Sequence, residues 1–591
     1  MERKDVETKY TWDLSKFYSS DEKWFADFEK LKKYNNKFLK FKGKLNNKQV
    51  LKEYLNLSKS CSMLVEKLSM YSSNNLNTEL SSKVYNVMQN QLGQVITQIS
   101  TETSFVEPEL LSYDESYLKE LLHDADFKND KFWIKDLIKD KKHVLSEKEE
   151  KLLSGMLNFA GDTGDIFDSL CDVDFKFEDA ISSDKKHHEL TQATYSMLQK
   201  SSDRTLRESA YKNYYGKYKE FNNTIYVNYL SNLKADYFFS TARKFKNALE
   251  SALYGSNIPQ KLYSKLKEEV RKNIPLCTKY YEIRKRALKL DKLQYYDATV
   301  SLCDDFDKKY TFEEAKQIVL EALKPLGEDY VNVVKSAFTE RWIDVYPTKD
   351  KIGGGYETGI YGFTPVVLLN FVGTIDDVFT LIHELGHAMH SYLSNKFQPY
   401  ETSDYTIFLA EIASTFNEVL LTKYFLNNAK TKKEKVYFLD RYINLFMGTT
   451  FRQMQYSEFE EYAHMLVAKN LPISKEILNE KYYELNAEYN AGIENDDLKK
   501  YHWSIVPHFY RSFYAYKYAS GLISAVSLAT KVLNGGNDER EKYFKMLKSG
   551  GCDYSTNILK RAGVNLESSE PYDLAFFELK NSIENLDKLI K

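Results

Sequence analysis

The scarcity of glycine and proline is the feature that most limits what this chain can fold into. The 591 residues include 23 glycines and 10 prolines, about half of the roughly 12% that average proteins devote to these two residues. A β-sandwich, a β-propeller or another loop-rich architecture depends on them for its many tight turns. With 43% hydrophobic residues, the chain can still bury a substantial core. We therefore expect a large, mainly α-helical protein.

The charge balance and the cysteines exclude several classes of protein. Lysine and arginine number 83 against 85 aspartates and glutamates, a net charge of −2, so the chain is not a strongly basic nucleic-acid binder. Its apolar runs are too short to span a bilayer, and residues 1–9 lack the apolar stretch of a secretory signal. The five cysteines are odd in number and form no C-x-x-C pair, which favours reduced thiols. We expect a cytoplasmic protein without nucleic-acid or membrane partners, and its oligomeric state stays open.

Apolar residues with a period near 3.6 predict helices along most of the chain. One such stripe follows Asp203 and carries Leu206, Ala210, Tyr214 and Tyr218. The most polar interruption is SSDKKHH at 182–188, and we place a domain boundary close to it. The predicted organisation is a helical amino-terminal region, 1–190, followed by a second region, 191–591.

A capping box is predicted near the start of the chain. Ser19 is followed three residues later by Glu22, the spacing at which each side chain can satisfy the other's backbone amide. Four apolar residues then share one helical face: Trp24, Phe25, Phe28 and Leu31. The pattern predicts an amphipathic helix that buries this face.

One segment breaks the helical pattern. Five of the 23 glycines lie between Gly353 and Gly362, and a β-branched, apolar run follows them. This composition predicts a turn-rich segment that leads into a strand or hairpin. It lacks the Gly-Lys-Ser/Thr of a phosphate loop. The segment is either a surface hairpin or a backbone element that approaches a ligand closely, and its position just ahead of the next motif favours the second interpretation.

The motif with the clearest chemistry is HELGH, from His383 through Glu384 to His387. On a helix, residues four apart project from the same face, so both imidazoles can reach one metal ion. Glu384 then lies beside the ion, where it can take a proton from water. The flanking residues are apolar, and two histidines and a glutamate have little reason to lie in such a helix without a partner. We interpret the motif as a zinc-binding helix.

A catalytic zinc needs a third protein ligand and an open fourth position. Metzincins supply that ligand from a later histidine, but the position holds Leu393, which excludes this class. The candidate is Glu411, a carboxylate in an apolar setting on a following helix. Glu418, two turns later, is either a partner of a metal-bound histidine or an ordinary solvated or ion-paired glutamate. His390 is expected in the core or beside the site, because a fourth protein ligand would close it.

These residues resemble those of a known family. The stretch GTIDDVFTLIHELGHAMH at 373–390 and its continuation AEIASTFNE at 410–418 closely resemble oligoendopeptidase F, the bacterial cytosolic branch of the thimet-oligopeptidase-like zinc peptidases. The resemblance extends over nearly the whole chain. It includes YTWDLS at 10–15, SSDR at 201–204, the glycine-rich segment, and PHFY at 507–510 with the tyrosines after it.

The resemblance implies roles for further residues. The family's third zinc ligand corresponds to Glu411, with one Zn²⁺ per chain. A histidine and tyrosine set near the carboxyl end stabilises the oxyanion that forms during peptide hydrolysis. By matching, these donors correspond to His508, Tyr514 and Tyr518, and the other tyrosines of 510–518 are the nearest alternatives.

The resemblance also implies a fold, which is a mainly helical peptidase body around a deep substrate channel, with a small β element beside the active site. Residues 1–190 would form part of the channel wall or a lid, and 191–591 the zinc metallopeptidase domain. The glycine-rich strand, with Gly354, Gly355 and Tyr356, is expected to pair with the backbone of an extended substrate. Such a channel would admit flexible peptides and exclude folded proteins.

The predicted activity is zinc-dependent hydrolysis of short, unstructured oligopeptides at internal bonds. In it, Glu384 accepts a proton from the attacking water and passes it to the leaving amine. One alternative is a peptidyl-dipeptidase of the same family, which needs a cationic group for the terminal carboxylate that the sequence does not locate. Another is a non-catalytic, peptide-binding scaffold, and the intact Glu384 argues against it.

Overall fold

The structure is a computed structural model that describes residues 1–303 and 308–591, without the side chains of residues 147 and 158. The described residues are mainly helical, which confirms the prediction from the scarcity of glycine and proline. Their α-helices are α1 Asp21–Lys32, α2 Lys48–Thr78, α3 Lys83–Thr103, α4 Val106–Ser112, α5 Glu115–His123, α6 Lys131–Asp140, α7 Glu147–Ala160, α8 Asp162–Asp168, α9 Gln192–Leu198, α10 Arg204–Glu220, α11 Asn222–Ala242, α12 Ala248–Gly255, α13 Gln260–Lys272, α14 Ile274–Ala287, α15 Phe312–Ala322, α16 Glu328–Thr339, α17 Ile375–Phe397, α18 Ile407–Asn428, α19 Lys432–Phe446, α20 Arg452–Ala468, α21 Lys475–Tyr489, α22 Tyr516–Leu547, α23 Ser555–Arg561 and α24 Glu570–Ile590.

The β-structure of the described residues is small. Strands β1 (Ala180–Ile181) and β2 (His187–His188) form an antiparallel pair, so the polar segment 182–188 lies mostly in the turn between them. The second sheet contains β3 (Ile343–Asp344), β4 (Tyr356–Thr358) and β5 (Val366–Leu368) in the order β3-β5-β4. Strand β5 runs parallel to β3 and antiparallel to β4. The glycine-rich segment therefore forms the predicted hairpin.

The chain divides into two compact units, each made of three stretches. Among the described residues, the first unit contains 1–144, 308–421 and 531–563, and the second contains 145–303, 422–530 and 564–591. This division rests on internal packing and does not test the functional boundary between 1–190 and 191–591, which stays a prediction.

Within the first unit, the hairpin is backed by a hydrophobic cluster that the amino-terminal helices supply. The side chains of Val366 and Leu368 on β5 are fully buried in that cluster, together with Trp12, Trp24 and Leu68. Burial of large apolar side chains such as these contributes about 1.5–3 kcal/mol each. The cluster holds β5 firmly in place and, through the register of the hairpin, β4 as well.

The start of α1 differs from the prediction. The helix begins at Asp21 with Ser20 as its cap, and no side-chain hydrogen bond closes a capping box. Trp24, Phe28 and Leu31 are buried as predicted, whereas Phe25 lies at the edge of the apolar face and is 38% exposed. The periodicity thus located the helix and most of its buried face, and the short capping motif misplaced its cap by one residue.

Three further predictions concern the buried stripe of α10, membrane-spanning helices and the cysteines. In α10, Leu206, Ala210, Tyr214 and Tyr218 are buried along one stripe, as predicted. None of the helices that the structure describes combines the length and the apolar character that crossing a membrane requires. The five cysteines all lie among the described residues, and no disulfide joins any of them.

Candidate active site

Helix α17 positions the predicted metal motif. It begins with a capping box, in which the Thr374 hydroxyl accepts a hydrogen bond from the Asp377 amide and the Asp377 carboxylate accepts one from the Thr374 amide. An acidic first turn also suits the positive end of the helix dipole. Two turns further on, His383 and His387 lie on the same face, and Glu384 is buried beside them with 7% of its surface exposed.

A glycine allows the second helix to reach the motif. A Cβ atom at Gly386 would lie 2.6 Å from the Cα atom of Ser414, so α17 and α18 meet through their backbones and any side chain here would push them apart. The close approach brings Glu411 of α18 to the histidines of α17. His383, His387 and Glu411 each offer a ligand atom, and these three atoms lie within 4.8 Å of one another.

Glu418 holds one of the histidines in a defined orientation. Its Oε1 atom lies 2.6 Å from Nδ1 of His383, so Nδ1–H donates to the carboxylate and Nε2 of this ring faces the cluster. Nε2 of His387 lies 3.2 Å from Nε2 of His383. Glu418 therefore contacts the side of the imidazole away from the cluster, where a partner of a metal-bound histidine would lie. The contact is also an ion pair with His383, so the role of Glu418 at a metal stays a prediction.

The carboxylates around the motif favour positive charge at its centre. Burial lowers the pKa of His383, but the hydrogen bond and charge of Glu418, with the charges of Glu384 and Glu411, outweigh it and raise the pKa to about 8. Burial, reinforced by Glu411 and Glu418, raises the pKa of the Glu384 carboxyl to about 7. Burial, together with the charge of His383, lowers the pKa of His387 to about 3, so its ring is neutral near pH 7. A cluster of this kind attracts a cation.

Strand β4 forms one side of the cleft that contains these residues. It is one of the two edge strands of its sheet. The chain packs on α17 so closely that a Cβ atom at Gly355, just before β4, would lie 3.1 Å from Cγ2 of Thr380. Gly354 has a φ of +82°, a conformation that glycine adopts at no steric cost. The Tyr356 side chain turns away to α2, where its hydroxyl bonds to Asn74 and Asn77 at 2.7 Å each.

The cleft is large and acidic. Its volume is about 980 Å³, and it is lined by residues 355–361, by the metal motif with Glu411, and by further carboxylates at Glu66, Glu401 and Asp404. The Glu401 carboxylate is paired with Lys59 at 2.9 Å, while Asp404 is exposed. Among the described residues that line the cleft, none is a lysine or an arginine.

The sequence analysis missed a buried glutamate in this cleft. Glu357 of β4 is enclosed against α17, where burial raises the pKa of its carboxyl to about 8 while a hydrogen bond with Ser391 opposes the change. The Ser391 hydroxyl in turn lies 2.7 Å from the hydroxyl of Tyr405. Strand alternation places Glu357 on the face opposite Tyr356, but it does not show that this face packs against α17.

The carboxyl-terminal histidine and tyrosines form a cluster within the second unit. Nε2 of His508 lies 3.3 Å from the Tyr518 hydroxyl, and the rings of Tyr514 and Tyr518 meet edge to face at 5.4 Å. All three residues are half-buried. The two alternatives differ from them, because the hydroxyls of Tyr510 and Tyr516 are buried without a hydrogen-bond partner among the described residues.

His390 lies in the core and not in the cluster of metal-ligand candidates. Its side chain is fully buried, its ring stacks on Tyr405 with the centroids 3.6 Å apart, and neither ring nitrogen has a hydrogen-bond partner in the described part of the chain. Burial lowers the pKa of this histidine to about 3. The ring is therefore a neutral packing element, one of the two places expected for it.

Comparison with known proteins gives matches along the whole chain. The profile of peptidase family M3 matches residues 197–577, and that of oligopeptidase F matches residues 109–177. Oligopeptidase PepF of Bacillus subtilis is 34% identical over 592 residues, covering 100% of this chain and 88% of that protein. A solved structure from Chlamydophila abortus matches with a TM-score of 0.94 at 32% identity, covering 100% and 99% of the two chains. That of oligoendopeptidase-F from Enterococcus faecium matches with a TM-score of 0.73 at 30% identity, covering 96% and 98%.

Proposed function

The chain belongs to peptidase family M3, among the oligoendopeptidase F homologues, and from this membership we propose that it is a zinc-dependent endopeptidase of short, unstructured oligopeptides. One observation carries the proposal. The metal-ligand cluster of His383, His387 and Glu411, with Glu384 beside it, lies in the same cleft as the edge strand β4. Ligands, a base and a surface that can hold an extended chain thus occur together.

The residues of the cluster fit zinc. Two imidazole nitrogens and a carboxylate oxygen are a common ligand set of catalytic zinc, and two nitrogens bound to a tetrahedral zinc lie about 3.3 Å apart. The two Nε2 atoms here are 3.2 Å apart. Bound by His383, His387 and Glu411, one Zn²⁺ per chain would polarise a peptide carbonyl and lower the pKa of a water molecule.

The side chains of this chain supply the remaining chemistry. Glu384 is in place to accept a proton on its carboxylate from the attacking water and to give it to the nitrogen of the leaving amine. Glu418 keeps the proton of His383 on Nδ1, so that Nε2 keeps its lone pair for the metal. His508, Tyr514 and Tyr518 are proposed to donate hydrogen bonds to the developing oxyanion of the substrate.

The edge strand is proposed to bind the substrate backbone. Strand β4 pairs with β5 on one side only, and an extended peptide can add to such an edge through main-chain hydrogen bonds that do not depend on its side chains. Gly354 and Gly355 would let the substrate backbone approach closely. Tyr356 would contribute its backbone alone, since its hydroxyl is engaged with α2.

Product analysis tests the proposed function. The purified chain is assayed for zinc content and incubated with internally quenched peptides of different length, and the products are identified by mass. We expect one zinc per chain and cleavage at internal bonds. Products that are consistently carboxyl-terminal dipeptides would favour a peptidyl-dipeptidase instead. A zinc-loaded chain that cleaves no peptide in a diverse mixture would favour a non-catalytic scaffold. The cytoplasmic location stays a prediction from the sequence.

Replacing Glu418 by glutamine should weaken zinc binding by about 10- to 100-fold. The amide can still accept a hydrogen bond from His383, but it lacks the negative charge that raises the basicity of the imidazole. Competition with a chelator of known affinity measures the effect. Glu53→Gln, an exposed position of the same unit, is the matched control and should leave zinc affinity unchanged. Equal affinities in the Glu418 variant and in the wild type would mean that this carboxylate does not support the site.

The acidic lining of the cleft predicts a preference for cationic peptides. Burial, reinforced by the charge of Asp404, raises the pKa of the Glu66 carboxyl, so the two carboxylates repel one another and a lysine in the substrate would relieve that repulsion. Peptides that differ only by Lys in place of Glu should therefore give the higher kcat/KM, and the ratio should decrease with salt.

Asp404→Asn measures the contribution of one of these carboxylates. For an exposed ion pair, we expect the Lys-to-Glu ratio of kcat/KM to decrease about 2- to 5-fold. Asp126→Asn, an exposed carboxylate of the same unit outside the cleft lining, should leave the ratio unchanged. A wild-type enzyme that prefers the glutamate peptide would contradict the prediction.

A further inference from the structure

The second unit contains a cavity whose charge is not balanced. Its volume is about 280 Å³, and its walls are formed mainly by tyrosines and amides together with Arg452, Lys499 and His502. The exposed Lys200 lies at its margin. None of the described residues that line the cavity carries a carboxylate. Cations that face an interior space are normally paired with an anion, because an unpaired buried charge is costly.

Arg452, the first residue of α20, is exposed and has no charge partner among the described residues. Its guanidinium forms no hydrogen bond and no ion pair within the described residues, although it lines a cavity with several polar walls. The neighbours that influence it are the tyrosines Tyr456, Tyr281, Tyr215 and Tyr482, which are neutral near pH 7. A guanidinium offers five N–H donors in a planar fork that matches a carboxylate or a phosphate.

Lys499 is the second cation of the cavity. It is 7% exposed, and its Nζ donates to the Tyr215 hydroxyl at 2.7 Å. The Nζ atom also lies 4.2 Å from the ring centroids of Tyr215 and Tyr295, which stabilises a cation only in part. No carboxylate of the described residues lies within ion-pairing distance of it. Burial and the nearby Arg452 keep the pKa of this lysine well below its usual value, although the charge of Asp496 opposes them, and a bound anion would add to that opposition.

His502 keeps this arrangement rigid. Its Nδ1 lies 2.6 Å from the Tyr215 hydroxyl and its Nε2 lies 2.8 Å from the Tyr456 hydroxyl, so both ring nitrogens are engaged. The ring is also stacked between Tyr215 and Tyr482. Tyr215 thereby links the lysine to the histidine, and the hydroxyl network holds the donors in place before any ligand arrives, which reduces the cost of binding.

We propose that this cavity binds a small oxyanion, a phosphate or a carboxylate, between Arg452 and Lys499. The volume accommodates an inorganic phosphate or the carboxyl end of an amino acid. The inference is independent of the proposed peptidase activity, because its residues all belong to the second unit and none of them is assigned to the hydrolysis. The ring faces of the tyrosines attract the lysine, but no described residue accepts a hydrogen bond from Arg452, so its donors are open to a ligand.

Calorimetric titration of the zinc-loaded chain tests the proposal. The probes are inorganic phosphate, N-acetylalanine with its free carboxylate, and N-acetylalanine amide as the neutral control. We expect saturable binding of phosphate, of N-acetylalanine or of both, and none of the amide. Binding of only one anion identifies the source of the ligand. The absence of binding of either anion at millimolar concentration would overturn the proposal.

Arg452→Gln separates this site from other anion sites of the chain. We expect its affinity for the anion to be at least about tenfold weaker, since charged hydrogen bonds are lost. Arg286→Gln, which removes a surface arginine of the same unit paired with Asp587, should bind as the wild type does. Equal affinities in the Arg452 variant and the wild type would refute the assignment.

Thermal unfolding shows whether the Arg452→Gln variant has a folding defect that would by itself weaken anion binding. Without added anion, Arg452→Gln should unfold at about the same temperature as the wild type, because the side chain is exposed and makes no ion pair or hydrogen bond among the described residues. With saturating anion, the wild-type midpoint should rise and that of the variant should not. A variant that unfolds much earlier without anion would show that Arg452 serves the fold, and the proposal would then be wrong.

Discussion

Replacing Glu384 by glutamine should lower kcat by about 10²- to 10⁴-fold, the range that a positioned general base contributes, while the chain keeps its zinc. Glutamine has nearly the same shape as glutamate, so the packing of this buried position on α17 is preserved. The amide cannot accept the proton of the attacking water, and the proposed ligands His383, His387 and Glu411 are unchanged. Metal content, together with the rate of cleavage of an internally quenched peptide, measures both effects.

Glu384→Asp provides the matched variant for this prediction. It keeps the carboxylate but withdraws it by one methylene, so activity should lie between that of the glutamine variant and the wild type. A glutamine variant that retains both zinc and near-normal turnover would exclude Glu384 as the base. Loss of zinc in the glutamine variant would instead make the residue structural, and the aspartate variant would then lose zinc as well.

The parts of the site that could be predicted are those whose geometry is local. The spacing of His383 and His387 is set by the helical period alone, so their shared face follows from the sequence without knowledge of the fold. The two turns between Glu411 and Glu418 follow in the same way. What spacing cannot show is that α18 lies against α17, which depends on the absence of a side chain at Gly386. Periodicity therefore left two interpretations of Glu418, and its 2.6 Å contact with His383 follows only from that packing.

The features that escaped prediction arise from long-range packing. Glu357 is enclosed because β4 lies on α17, and the residues next to it in the sequence do not predict that contact. Arg452 contributes to a cavity only because the fold brings it to tyrosines that are distant in the sequence, such as Tyr215 and Tyr281. The misplaced cap at Ser19 is a local failure of another kind, because a capping box competes with alternative starts one or two residues away that differ little in free energy.

Replacing Tyr518 by phenylalanine should lower kcat by about 10²- to 10³-fold, the effect of removing one donor to an oxyanion. The change deletes a single hydroxyl, which lies 3.3 Å from Nε2 of His508, and leaves the aromatic packing with Tyr514 in place. Because the donor acts only on the charge that develops in the transition state, kcat should fall while KM changes little. Steady-state kinetics on the same quenched peptide measure the two constants separately.

Tyr516→Phe is the control that makes this test decisive. It is the same chemical change two residues away, but it removes a hydroxyl that is buried without a partner among the described residues. The Tyr516 ring itself packs edge to face on that of Tyr263, with the centroids 5.4 Å apart. Loss of an unsatisfied buried hydroxyl should leave stability equal or higher and turnover unchanged. If the loss of turnover followed Tyr516 and not Tyr518, the oxyanion donors would have to be reassigned within 510–518. An equal loss in both variants would point to a general disturbance of the segment, because a direct donor role predicts a difference between two residues whose hydroxyls have such different surroundings.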